Sequence, residues 1–347
     1  MQRLLKEHRI TISFAGILLV LSIFSLFIGA VNITPSTLFS GDSELVMVFF
    51  ASRFPRLLAI LCTGIGMSIA GLIMQQLTMN KFVSPSTGAT VQSAQLGILL
   101  SLLLLPASTL ISRALFAFAF AILGTWIFVF FIQRVKFKSS VMVPLVGIMF
   151  GNVIGGATNY FAYRFDLVQA MSTWTVGSFA TIVRGRYEIV FLIVPLVVIA
   201  FIFANHFNIV GMGREFSTNL GVPYSVILIL GLTISAVITA SIVVTVGSIS
   251  YIGLIVPNLV SMFKGDRLRG NLIDTALFGA VFVLLADIVG RVVISPYELP
   301  IELIIGILGS IIFIAFLLYR LRYGDRSITS VLKEHRQQPA AAVKEAK

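Results

Sequence analysis

Charge is what this sequence has least of. Only 11% of its 347 residues are Asp, Glu, Lys or Arg, against ~25% in a typical soluble domain. That deficit excludes an ordinary soluble protein. Cysteine is nearly absent: Cys62 is the only one. A disulfide within the chain is excluded, and a lone Cys inside an apolar run reads as a small hydrophobe. The three histidines, His8, His206 and His335, are far apart and lie outside the apolar centres. No metal-ligand spacing exists among them, so no metal site is expected. A Gly-x-x-x-x-Gly-Lys-Ser/Thr loop is missing, so the chain is not its own P-loop ATPase. The interiors of the apolar runs hold almost no ionisable groups. An ion-coupled secondary carrier of a metal complex or organic solute, the alternative transport reading, usually keeps such groups within its spans. A membrane-embedded enzyme needs His, Asp, Glu or Ser/Lys chemistry clustered at one depth, and none is found.

What is present is oil: 58% of the residues are hydrophobic. A membrane span takes ~20 apolar residues, and backbone polar groups in lipid must be satisfied internally, which favours helices. The fold class read here is an all-α polytopic membrane protein with about ten transmembrane helices. The first apolar run, 10–31, is longer than a signal-peptide core and lacks a small-x-small cleavage site, so it reads as an uncleaved span. A mixed segment at 33–52 reads as an outer loop with a short helix. Further spans are read at 53–77, 89–105, 114–132 and from 141. Next comes an outer polar-aromatic segment at 160–187 with a short helix at 169–179. Spans at 188–205 and 224–246 follow. A break at 247–250 leads into a shorter apolar helix at 251–263 containing Pro257, then spans at 271–293 and up to 319. Residues 1–322 make one permease-like membrane domain. The charged, Ala/Gln-rich tail at 323–347 is expected to be cytoplasmic and disordered.

The net charge of +11 is explained by topology rather than by nucleic acid. Ten spans put both termini on one side. Of the 25 Lys and Arg, only Arg53, Arg56, Arg113, Arg164, Arg184, Arg186 and Arg291 then fall outside. The positive-inside bias makes both termini, and the segment 211–223, cytoplasmic.

That segment is the polar interruption between two long apolar runs. Two glycines open it, and Gly221 with Pro223 closes it, a helix-stop pattern. A short helix from Arg214 to Leu220 is expected, with Glu215 in its first turn. Phe216 and Leu220, at i and i+4, share one face that could press on a partner protein. In the fifth span Gly147, Gly151 and Gly155 line one face, with Asn152 and Asn159 adding polar groups. Such a row lets either another helix or a substrate approach the backbone, and both readings stay open. Asp287 and Arg291, four apart in one span, can pair. Glu302 stands near a span end.

The order of several short patterns then resembles a known family, the permease subunits of type II ABC importers for iron–siderophore complexes, haem and cobalamin. They are Arg53-x-Pro55-Arg56, Gly71-x-x-x-Gln75 with Asn80 and Pro85-x-x-Gly88, Trp174-x-x-Gly177-Ser178, and Gly213 with Leu220-Gly221-Val222. Gly247-x-Ile249-x-Tyr251-Ile-Gly253-Leu254-Ile255-Val256-Pro257 follows, then Asp287-x-x-x-Arg291 and Glu298-Leu299-Pro300. The stretch around Gly71–Pro85 is similar to the branch importing ferric catecholate-type siderophores, such as petrobactin or anguibactin. The resemblance covers residues 10–322. Asn258, Ser261, Glu302 and Gly309-Ser310 depart from the family pattern, and these departures bear on the identity of the substrate.

The resemblance implies the following. The chain binds no cofactor and is not an enzyme; two separate ATP-binding cassette ATPases carry ATP and Mg²⁺. A second permease subunit, identical or related, completes the pore in a bacterial cytoplasmic membrane. An extracytoplasmic siderophore-binding protein docks on Arg53, Arg56 and Arg291. Arg214, Glu215, Phe216, Leu220 and Gly221 form the coupling element for the ATPase. Gly147, Gly151, Asn152, Gly155, Asn159 and Glu302 lie along the translocation pathway.

Overall fold

A computed structural model of the chain describes residues 9–29, 34, 36, 43–105, 107–135, 142–264 and 268–323. The 323–347 tail, apart from its first residue, lies outside the described residues, and so does most of the first part, 33–42, of the loop read at 33–52. Among the described residues the regular structure is all helical. The helices are α1 (Arg9–Phe27), α2 (Ser43–Val48), α3 (Phe54–Leu77), α4 (Thr90–Leu104), α5 (Leu110–Arg134), α6 (Met142–Arg164), α7 (Val168–Thr175), α8 (Ile193–Val210), α9 (Arg214–Asn219), α10 (Tyr224–Thr245), α11 (Ile252–Lys264), α12 (Leu268–Val292) and α13 (Ile301–Tyr323). Eight helical segments are long and apolar enough to cross a membrane, and α4 and α11 are shorter apolar helices. Together they account for the ten expected spans.

Two helices make the centre. In the stretch Ser43–Leu77, and again in α10, 72% of the most apolar window is buried. Ile60 and Ile73 of α3 belong to one core with Leu232 and Ile238 of α10, Phe207 of α8 and Leu284 of α12. Lipid is as apolar as these side chains, so close packing rather than water exclusion must hold such helices together. Glycines supply it. A Cβ on Gly64 would lie 2.5 Å from the Gly279 carbonyl oxygen of α12, and one on Gly71 would lie 1.9 Å from the Gly253 carbonyl oxygen of α11. The α3 backbone therefore touches two other backbones directly.

Proline explains two further joints. It has no N–H for the carbonyl four residues back. Pro257 thus frees the Gly253 carbonyl, which accepts from Gln75 Nε2 at 3.2 Å. Gly71 and Gln75, one turn apart, form the crossing and satisfy the orphaned acceptor. Pro55 frees the Ala51 carbonyl in the same way, and the Arg184 N–H donates to it at 3.0 Å.

The boundaries differ from the sequence reading in two places. Residues 43–77 form one continuous helical stretch, α2 joined to α3 through a π-helical turn at Phe49–Arg53. The apolar 43–54 segment has no Gly or Pro to stop it, and the π turn absorbs the backbone mismatch ahead of Pro55. The fifth span runs on to Arg164, into the segment expected to lie outside. The short helix after it ends at Thr175 rather than reaching Phe179.

Candidate functional site

Three regions hold the candidate residues. On the cytoplasmic side by the charge rule, α9 is a compact, capped helix. Gly213 before it and Gly221 after it take positive φ, 106° and 73°. The Gly221 N–H donates to the Thr218 carbonyl at 3.0 Å and the Val222 N–H to the Ser217 carbonyl at 2.9 Å. That pair of bonds is the Schellman closure, which needs a left-handed residue at Gly221. Inside, buried Ser217 Oγ donates to the Gly213 carbonyl at 2.7 Å and lies 3.1 Å from that of Ile209, tying α9 to the end of α8. Outside, Phe216 is 48% exposed, Leu220 55% and Met212 54%. Arg214 and Glu215 are exposed beside them. A rigid element therefore presents three apolar side chains where no lipid is expected, the signature of a protein contact.

Beside this element, a polar cavity of about 280 Å³ opens between α3 and α11, lined by Gln75, Gln76, Asn80, Lys81, Gly211 and Ser261 among others. Asn258 Nδ2 donates to the Lys81 carbonyl at 2.8 Å and the Leu254 carbonyl at 2.7 Å. This departure from the family pattern thus pins α11 to the turn after α3.

The second region is a polar cavity of about 230 Å³ lined by Gln92 and Gln95 of α4, Gly155, Thr158 and Asn159 of α6, Ser248, Ser250, Glu302 and three other residues. It sits where three chain segments meet. The Ser178 N–H donates to the Val246 carbonyl at 2.9 Å and the Glu302 N–H to the Gly177 carbonyl at 3.3 Å. The Glu302 carboxylate accepts from the Gly177 N–H at 3.2 Å and lies 3.3 Å from the Ser248 hydroxyl. Gly177 is required at this meeting point: its Cβ would lie 2.2 Å from the Ser248 carbonyl oxygen.

This cavity joins Gly155, Asn159 and Glu302, three of the six residues expected on the pathway. Asn152, one turn from Gly155, is exposed. Gly151 faces the Gln92 side chain, with 3.1 Å available for a Cβ. Gly147 corrects the sequence reading. A Cβ there would sit 2.0 Å from the Thr87 carbonyl oxygen and 2.7 Å from the Phe128 ring. It serves helix packing, not space for a ligand. Gln92 and Gln95 were missed. Their signal was two amides three residues apart within an apolar span, which in lipid must face protein or water.

The third region is a charge cluster at the outer ends of α3 and α12. Arg56 Nη2 lies 2.7 Å from Asp287 Oδ1, and its Nη1 lies 2.7 Å from Glu298 Oε2. Arg291 Nη2 lies 2.6 Å from Asp287 Oδ2. Arg291 Nη1 donates to the Ser25 and Ile28 carbonyls, each at 2.9 Å. Arg291 is 4% exposed, which corrects its expected docking role. Its guanidinium neutralises Asp287 and fastens the end of α1. Arg56 is likewise largely consumed by two carboxylates. Arg53 is half-buried next to Gly29.

The apolar helices long enough to cross a membrane and the backbone-to-backbone glycine crossings define a polytopic helical membrane protein. The FecCD transport family model matches residues 17–320, and the chain belongs to that family. It is 45% identical over 88% of its length to the petrobactin import system permease protein YclN of Bacillus subtilis (strain 168), covering 97% of that protein. It is 38% identical over 85% of its length to the ferric-anguibactin transport system permease protein FatD of Vibrio anguillarum (strain ATCC 68554 / 775), covering 94% of it. A solved structure described as an inward-facing conformation of a metal-chelate type ABC transporter superposes with a TM-score of 0.76 at 24% identity, over 89% of this chain and 99% of that one. This likeness bears on the fold alone. The chain is thus a transport subunit and not the hydrolase.

Proposed function

We propose that the chain is the membrane-spanning permease of an ATP-binding cassette importer in a bacterial cytoplasmic membrane, and that it passes a ferric catecholate-type siderophore inward. The observation that carries the mechanism is the capped α9 helix with Phe216, Leu220 and Met212 exposed. It suits the cleft of a cytoplasmic ATPase, which supplies ATP, Mg²⁺ and the energy. The similarity to the petrobactin and anguibactin permeases supports the cargo class. A second permease subunit, this chain again or a related one, faces it across the pathway, and two ATPases complete the assembly. A siderophore-binding protein delivers the cargo at the outer surface. Arg53, on the outer side by the charge rule, is our candidate on this chain to steer that partner. Iron is cargo, held by the siderophore, and the permease needs little affinity of its own because it must release.

The test is uptake of ⁵⁵Fe-siderophore into proteoliposomes holding the permease pair, its ATPase and the binding protein. Uptake is expected to require ATP. Accumulation driven by a proton gradient with no ATPase present would overturn the reading. Leu220→Asp should strip the ATPase from the purified complex or disconnect hydrolysis from uptake, lowering transport by at least about 30-fold. Unchanged transport with normal ATPase co-purification would remove α9 from the coupling role.

A further inference from the structure

The buried and half-buried carboxylates of this protein are not treated alike. Asp287 has Arg56 and Arg291, Glu298 has Arg56, and Asp274 has Lys264. Glu302, at the start of a span, forms no ion pair among the described residues. Its two contacts are long, 3.2 Å from the Gly177 N–H and 3.3 Å from the Ser248 hydroxyl. That hydroxyl is better satisfied elsewhere, 2.7 Å from the Thr175 carbonyl. A carboxylate offers about four acceptor positions, so most of this one remains open toward the cavity. Among the residues lining that cavity, Glu302 alone is charged. Gln92, which also lines the cavity, has a buried Oε1 with no hydrogen-bond partner among the described residues. Glu302 is half-buried in the first turn of α13, where the helix N-terminus favours its negative charge, and its carboxylate borders open volume.

We propose that Glu302 and the cavity around it form a specificity subsite that receives a cationic, hydrogen-bond-donating group of the cargo, an ammonium or protonated amine carried on the ferric complex. The inference rests on the importer reading above and names the cargo chemistry this chain selects. The arriving cation supplies a counter-charge that no described side chain gives Glu302, and Gln92 and Asn159 offer neutral partners for its remaining N–H groups. A cargo presenting a free carboxylate at the same place meets like charge and is disfavoured. The contact forms during passage and leaves with the cargo, so it filters without retaining.

The experiment uses the complete assembly in proteoliposomes and two ferric catecholate complexes that differ at one position, a free secondary amine in one and its N-acetyl derivative in the other. Each is supplied preloaded on the same binding protein, so that protein's own preference cancels between permease variants. The readout is the ratio of uptake kcat/KM for amine over acetyl-amine. Glu302→Gln keeps the acceptor for the Gly177 N–H and removes the charge; it is expected to lower the ratio by about tenfold. Asn159→Asp, at an exposed position on the same cavity, adds a second carboxylate and is expected to raise the ratio. If Glu302→Gln does not reach the membrane, the Asn159→Asp ratio decides the matter alone. Identical ratios in wild type and variants, with both complexes transported, overturn the subsite and leave the importer reading standing. ATP-dependent entry of neither complex overturns both.

Discussion

Helices α6 and α8 are buried to nearly the same small extent, yet their compositions differ sharply. In the most apolar window of Met142–Arg164, 28% of residues are buried and the mean hydropathy is 1.3; for Glu188–Val210 the values are 22% and 2.6. The face of α8 left uncovered, with Val194, Val198 and Ile202, suits lipid. The face of α6 left uncovered includes Asn152, Gly156, Asn159 and Tyr163, at successive helical spacing. Polar groups within a span face protein or water rather than lipid. Exposure in the isolated chain therefore means two different things: a boundary with the membrane at α8, and a face awaiting water or another subunit at α6.

Three experiments press on this contrast, in order of expected effect. Val198→Asp places a carboxylate where α8 meets lipid and should cost about 2.5–3.5 kcal/mol of insertion free energy. The amount of folded protein in membranes should fall accordingly, while Asn152→Asp on α6 leaves it near wild type. Equal losses at both sites would erase the distinction. Within α6, Gly147→Ala forces a methyl onto the Thr87 carbonyl and should destabilise by about 2 kcal/mol. Gly156, with nothing within 4 Å of its Cβ position, should accept Ala and gain up to about 1 kcal/mol from helix propensity. Detergent-solubilised thermal unfolding reads both. The smallest effect is a difference in labelling rate. In a Cys62→Ala background, a cysteine at Asn152 or Asn159 should react with a charged maleimide in the assembled transporter, because the thiol needs water to ionise. A cysteine at Val198 or Ile202 should stay unreactive. Protection at both α6 sites would show that a neighbouring subunit, not an aqueous path, covers that face.

The helices were legible because their causes are local. Unbroken apolar runs have one stable form in lipid, and Gly221 with Pro223 marks the end of α9 by backbone geometry alone. The Asp287–Arg291 pair was legible too, since four residues is one helical turn. What was hidden is contact between distant segments. Nothing in the spacing of Gly147, Gly151 and Gly155 says that Thr87 fills the first position and that the third borders a cavity. Arg56 reads as a surface cation until Asp287 and Glu298 are seen to absorb it, and the bonds from Arg291 to the end of α1 exist only in the fold. Gln75 and Pro257 are 182 positions apart in the numbering, and the hydrogen bond that makes each necessary to the other exists only after folding. The carboxylate of Glu302 was conspicuous as a departure, but that it forms no ion pair among the described residues is a fact of three dimensions.

The continuous helical stretch from Ser43 to Leu77, 35 residues, has a mechanical consequence. At ~1.5 Å per residue it is a rod of about 52 Å, longer than the hydrocarbon core is thick. Arg53 and Arg56 sit about a third of the way along it, and Gln76, against Gly211 just before α9, sits at the inner end. Between them Gly64 and Gly71 press on neighbouring backbones with no side chain to yield. The part of the stretch beyond Pro55 is thus seated on two separate backbones within its inner half, and a displacement of either neighbour reaches it with no compliant side chain in between.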